Sequence, residues 1–228
     1  MTRVEKRRKR RFALAGLLST LILYVAIAGT SSRPQSSVAG GYGRLPVGVG
    51  SATRTGVEPT LSRVAGVLTG RRTTVRCWSQ PDWKRHTSQL ARAWPSVDKL
   101  GPWRAYTSTT SLAISLSPEI CAELAKLQSR RTPVWRDPSP DALAWSVETL
   151  AHEAQHVSGV VTEAEAECYG MQTTPRAAHL LGRTSAEGRY LAAVYWKHWY
   201  ALYKPPYSSN DCRNNGALDL NPDSDVWP

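Results

Sequence analysis

No CxxC pair and no internal repeat occur in this 228-residue sequence, and beyond residue 11 no basic run is interleaved with aromatics. The first absence excludes a zinc knuckle or a thioredoxin-type redox pair. The second excludes a solenoid or propeller array, and the third removes the usual footprint of a nucleic-acid binder. Phenylalanine is nearly missing too, at one residue against nine Trp and nine Tyr, so the chain is aromatic-rich and able to bury a core. Acidic residues are few, 18 against 29 Lys and Arg, but the net charge of +11 is unevenly placed. Seven Lys or Arg and one Glu fall within residues 1–11, which leaves +5 scattered over the other 217 residues. The expected partners therefore do not include nucleic acid.

What the N-terminus does contain is a membrane signal. Behind "MTRVEKRRKRR" comes "FALAGLLSTLILYVAIAG" (12–29), eighteen residues without a charge. As a helix this run is about 27 Å long, close to the hydrocarbon thickness of a bilayer. Dense positive charge before it predicts a cytoplasmic tail (1–11), a single-pass transmembrane signal anchor (12–29) and an extracytoplasmic remainder. The competing reading is a secreted protein cleaved after Ala28, since Ala26 and Ala28 form an A-x-A site. Residues 30–60 are Ser, Gly, Pro, Val and Arg without periodicity and read as a flexible linker. The folded domain is predicted over 61–228. Its cysteines, Cys77, Cys121, Cys168 and Cys212, are even in number in an exported domain, which predicts two disulfides rather than free thiols. Of the three connectivities, sequential pairing closes two loops of similar size and is preferred.

Coarse patterning predicts an α+β fold, rich in helix with a small sheet. "LSRVAGVLTGR" is a short helix candidate, "TTVRCWS" (73–79) alternates like a strand, and "PDWKRHTSQLARAW" (81–94) reads as a helix. "AYTSTTSLAISLSP" (105–118) is the best strand or hairpin candidate. Ser117-Pro118 and Ser139-Pro140 each open a helix with a capping hydroxyl and a proline in the first turn, and Gly159 ends the second. A further helix runs from Glu163 through Met171 or beyond, and 185–203 forms another. The irregular C-terminal stretch should be pinned by Cys212.

The chemistry sits in "ETLAHEAQHVSGVVTEAEAECYG" (148–170). His152 and His156 are one helical turn apart and share a face, with Glu153 one residue round from the first. In H-E-x-x-H, both imidazoles hold Zn²⁺, and the glutamate, too far round to ligate, takes a proton from the attacking water and passes it to the leaving amine. The plainer alternative is a solvated polar face. Against it, Ala142, Leu143, Trp145, Val147, Leu150, Ala151 and Ala154 surround the motif with apolar side chains, and a buried helix carrying unpartnered His and Glu is costly.

HEAQH resembles the active-site helix of zincin metallopeptidases. Gly159 stands where metzincins have a glycine, but Thr162 stands where they place a third ligand, and it does not ligate. "EAEAE" (163–167) instead resembles the E-x-x-A-[DE] element of gluzincins, at a shorter spacing than is usual there. The resemblance implies Glu163 as third ligand, Glu153 as general base, and Glu167 as the outer carboxylate that orients a ligand histidine. It also implies an edge strand that holds a peptide substrate by β-augmentation, for which 110–116 is the candidate. Glu165 points away from the site on this reading. His86, His179 and His198 are isolated and read as structural or exposed. "YWKHWY" (195–200) and Tyr169 are weaker candidates for stabilising an oxyanion. The expected function is a membrane-anchored zinc metallopeptidase acting on peptides or proteins, of the kind found in exported bacterial domains. Two alternatives stay open: a non-catalytic envelope protein braced by a structural zinc closed by a fourth ligand, and an interaction module without metal.

Overall fold

The computed structural model describes residues 54–93 and 104–228. The predicted tail 1–11, the apolar stretch 12–29 and residues 30–53 of the linker 30–60 lie outside the described residues. Among the described residues no helix is long and apolar enough to cross a membrane. Strand pairing begins at Gly56, ahead of Leu61, where the sequence places the start of the domain.

In chain order the elements are β1 (Gly56–Val57), α1 (Pro59–Thr69), β2 (Thr74–Cys77), α2 (Gln80–Ala93), β3 (Ala105–Ser108), β4 (Ala113–Leu116), α3 (Pro118–Ser129), α4 (Pro140–Ser158), α5 (Glu163–Leu180) and α6 (Ser185–His198), with 3₁₀ turns at Val134–Arg136 and Tyr200–Leu202. The architecture is α+β. Proline occupies the first turn of α1, α3 and α4, where its missing N–H has no intrahelical partner to lose. Hydroxyls of Ser117, Thr162 and Thr184 accept from backbone N–H groups in the first turns of α3, α5 and α6. Ser139 holds the N-cap position of α4 without making a side-chain cap bond. Its own N–H instead donates to Asp137 Oδ1 at 2.8 Å.

The sheet has the order β1-β2-β4-β3, with β2 and β4 parallel and the other two pairs antiparallel. The strand expected at the edge, 110–116, is therefore interior. Its strand β4 lies between β2 and β3, and the edges among the described residues are β3 and β1. The register places Val75, Ile114 and Thr107 in one row across the sheet, and Arg76, Ser115 and Tyr106 in the row of opposite parity. The first row faces the helices. Val75 and Ile114 are fully buried there, and Thr107 bonds to α4.

Helix α4 is the centre of the molecule. It packs on α1, α3, α5 and α6 and on strands β3 and β4. Leu143, Val147, Leu150 and Ala151 are fully buried, and each leucine contributes roughly 1.5–3 kcal/mol by leaving water. Helices α4 and α5 cross at Gly170. A Cβ there would stand 2.9 Å from the His152 N and Cα atoms and 2.7 Å from Glu148 Oε1. Both predicted disulfides are present in the predicted pairing. Cys77–Cys121 joins β2 to α3, and Cys168–Cys212 joins α5 to the C-terminal segment. Set in the apolar body of α4 are Glu148, Thr149, His152 and Glu153, all buried. Polar groups in such a place cost free energy unless other groups answer them.

Candidate metal centre

Each site residue is placed by local rules. His152 and His156 lie one turn apart near the C-terminal end of α4. Gly159 then takes a left-handed conformation (φ 107°) that L-residues with a side chain rarely adopt, and the helix stops. The turn lets Val160 N–H reach Gln155 O at 3.0 Å, and leaves Val160 O 2.8 Å from His156 Nδ1. Thr162, where a metzincin would carry its third ligand, caps α5. Glu163 is the first residue of that helix and turns back toward the histidines.

Three ligand atoms meet. His152 Nε2 and His156 Nε2 are 3.1 Å apart, and Glu163 Oε2 lies 3.2 Å from the first and 3.5 Å from the second. A tetrahedral zinc with bonds of about 2.0–2.1 Å spaces its ligand atoms about 3.3–3.4 Å apart. The triangle matches one face of that tetrahedron. His156 Nδ1 is directed at the Val160 carbonyl, so it carries the proton and leaves the Nε2 lone pair toward its neighbour. Two imidazoles that close need a cation or a proton between them. The side chain of Glu163 is 37% exposed against 10% for His152, so the triangle opens toward solvent on the glutamate side. Among the described residues no fourth His, Cys, Asp or Glu joins this group.

Behind the triangle is a carboxylate layer. Glu167, one turn after Glu163 on α5, brings Oε2 to 3.0 Å from His152 Nδ1, in a bent contact rather than a straight hydrogen bond. Glu167 accepts from the hydroxyl of fully buried Tyr195 on α6, and Tyr203 stands behind that hydroxyl at 3.4 Å. Glu148, one turn before His152, is also buried. Its Oε1 is 3.9 Å from His152 Nδ1 and has no hydrogen-bond partner among the described residues. A second His/Glu group, Glu148–His152–Glu167, thus shares His152 through its other ring nitrogen. Glu153 is buried against the sheet, and Thr107 Oγ1 donates to its Oε2 at 2.6 Å.

The charges are unbalanced without a cation. Burial and the neighbouring Glu167 charge push the Glu148 carboxyl well above its ordinary range. Burial raises that of Glu153. Burial opposes ionisation of Glu163 as well, but its hydrogen bonds to both imidazoles prevail and hold it far below the usual carboxylate range. Burial likewise disfavours a charged His152, yet Glu163, Glu167 and Glu148 outweigh it and raise that imidazole. The arrangement attracts positive charge, and its donor set of two nitrogens and one carboxylate oxygen fits Zn²⁺.

The structure thus brings together His152, His156, Glu163, Glu153 and Glu167. It leaves Glu165 outside, where its carboxylate accepts from Thr162 Oγ1 at 2.7 Å. His86 is stacked between Trp78 and Tyr106, His198 pairs with Asp141, and His179 is exposed. Glu148, Thr107 and Tyr203 escape the sequence reading as site residues, whereas Tyr195, in the YWKHWY stretch weighed there for an oxyanion role, donates its hydroxyl to Glu167 instead. Only Glu148 carried a local signal, its position four residues before His152. A cavity of about 430 Å³ lined by Gln172, Arg176, Arg189, Leu220 and Trp227, among others, contains none of the site residues. Comparison with protein-family models, with curated proteins and with solved structures finds no match for the chain.

Proposed function

We propose that the protein is a zinc-dependent peptidase of zincin type, close in pattern to the gluzincins, tethered outside the cytoplasmic membrane by residues 12–29. One observation carries the reading: a triangle of His152, His156 and Glu163 with the edges of a tetrahedral zinc face, open on one side. A structural zinc would be closed by a fourth protein ligand, and no fourth His, Cys, Asp or Glu among the described residues joins the triangle. When bound there, zinc supplies a Lewis acid that polarises a carbonyl and acidifies water.

The protein's own residues do the rest. Val160 O and Glu167 hold the two rings so that both Nε2 atoms face the same point. Thr107 occupies one oxygen of Glu153 and leaves the other to take the proton of the attacking water. Glu153 then delivers that proton to the amine as the C–N bond breaks. Strand β3, at the sheet edge and bonded to Glu153 through Thr107, is where an extended peptide would add as a further strand.

The test is metal content of the full-length chain beside His152→Ala/His156→Ala and Glu153→Gln. The reading expects about one zinc per chain in wild type, loss in the double histidine variant, and retained zinc without hydrolysis of a peptide mixture in Glu153→Gln. Stoichiometric zinc in the double variant, or full hydrolysis by Glu153→Gln, overturns it.

A further inference from the structure

Beside β3 lies a cation, Arg104, that makes no ion pair with the described residues. Arg104 precedes the strand, and its guanidinium carbon lies 5.1 Å from the centre of the Trp145 ring on α4. Trp145 is in turn stacked on Trp199, with centroids 4.6 Å apart and planes at 27°. Cation–π contact of this kind fixes the plane of a guanidinium and leaves its N–H edge free. Arg104 is half-buried, its Nε is buried with no hydrogen-bond partner, and its guanidinium forms no ion pair with the described residues. A buried guanidinium N–H without a partner costs free energy, and an anion docking on the group answers it with charge-assisted hydrogen bonds.

Its position relative to the site follows from two contacts. Thr107 touches Glu153 and Arg104 touches Trp145, so β3 and α4 run side by side in the same direction. Three strand residues from Thr107 to Arg104 span about 10 Å. Eight helical residues from Glu153 to Trp145 span about 12 Å. The two offsets agree, which puts the guanidinium some three extended residues from the catalytic level along the same edge. A peptide adding antiparallel to β3 heads toward Arg104 with its C-terminal half.

We propose that Arg104 is the specificity-determining residue of this edge and receives a carboxylate two to three residues C-terminal to the scissile bond, so that the site takes acidic peptides. The proposal rests on the peptidase reading for its geometry, but its test does not need turnover. Zinc-loaded full-length Glu153→Gln protein is mixed with paired pools of fluorescent eight-residue peptides, identical except that one fixed position is Asp or Asn. Binding is followed by anisotropy as that position is moved along the peptide. One position should favour Asp by about tenfold or more, as a charge-assisted bond to guanidinium does. Adding Arg104→Gln should bring the ratio to about one with zinc content unchanged, and Arg104→Lys should keep part of it. Equal binding of Asp and Asn pools at every position, or an Asp preference that survives Arg104→Gln, overturns the proposal. The two readings fail separately. Protein that binds acidic peptides but never cleaves any, with Glu153 intact, sinks the peptidase. Protein that cleaves with no acidic preference sinks the role of Arg104.

Discussion

Thr107 on the edge strand donates a 2.6 Å hydrogen bond to Glu153 Oε2 on the central helix, joining the strand where a substrate would lie to the carboxylate that would act on it. The donor is a single hydroxyl. The bond fixes the carboxylate plane and favours its ionised form against the burial that raises its pKa. Thr107→Val keeps the shape and removes the donor, so peptide turnover should fall by about tenfold with zinc content unchanged. Thr107→Ser should restore most of it. Equal rates for valine and serine variants would show that only packing matters at this position.

The glutamates of the EAEAE segment divide by function in a way that titration with zinc can read. Glu163→Ala should lose most metal affinity, because it removes one vertex of the triangle. Glu167→Ala should weaken it by about 10- to 100-fold, as loss of an outer carboxylate does. Glu165→Ala should change little, since that carboxylate meets only Thr162 at the helix start. Abolished binding in Glu167→Ala with a mild effect of Glu163→Ala would reverse the two roles.

Gly170 is where α5 lies against the backbone of His152. A methyl group there would stand 2.9 Å from backbone N and Cα atoms, which cannot move as a side-chain tip can. Gly170→Ala should therefore destabilise the protein by about 1–3 kcal/mol, as overpacking does, even though alanine is the better helix former. Chemical denaturation measures this directly. An alanine variant as stable as wild type would mean that the two helices separate freely.

Much of this site is written in short-range signals. The proline at the start of α4, the Gly159 stop and the i, i+4 histidines place the site because each acts within a turn or two of chain, although the Ser139 hydroxyl expected to cap α4 makes no cap bond. Glu148 obeys the same spacing, and its role was legible in principle. The sheet order was not. Nothing local in 105–116 tells which half of the hairpin faces outward. That is decided when β2 inserts parallel beside β4, a contact between Thr74–Cys77 and Ala113–Leu116 made across α2 and β3. Tyr195 and Tyr203 are of the same kind. In sequence they belong to an aromatic helix that reads as core, and only the packing of α6 on α5 puts the Tyr195 hydroxyl on Glu167.

Glu187 gives the fold an acid-sensitive joint away from the candidate metal site. Its carboxylate accepts from Arg183, from Thr184 N–H and from Val134 N–H, fastening the start of α6 to the Val134–Arg136 turn. Burial opposes its ionisation, but Arg183 and the N–H and hydroxyl of Thr184 hold its pKa down at about 2. A carboxylate depressed in the folded state contributes stability above its unfolded pKa of about 4.3, and that stability is lost as pH falls toward the folded value. Glu187→Gln should lower the melting temperature by roughly a few degrees at neutral pH. The gap to wild type should close between about pH 5 and pH 2. A constant gap over that range would assign its cost to packing instead of charge.

The two disulfides close loops of the same sequence separation, 44 residues, so chain entropy makes their stabilising effects alike. Each contributes up to about 4 kcal/mol by restricting the unfolded chain. Their positions differ. Cys77–Cys121 ties β2 to α3 and touches no site residue, whereas Cys168 follows Glu167 directly and anchors the segment that includes Tyr203 and Tyr207. That segment closes over the carboxylate layer, since Tyr203 backs the Tyr195 hydroxyl that holds Glu167. Cys77→Ser/Cys121→Ser should lower stability and leave zinc affinity near wild type. Cys168→Ser/Cys212→Ser should lower stability by a similar amount and also release zinc more readily to a competing chelator. Denaturation and chelator competition on both variants separate the effects. Equal zinc retention in the two would show that the Tyr195–Glu167 contact holds without its covalent anchor.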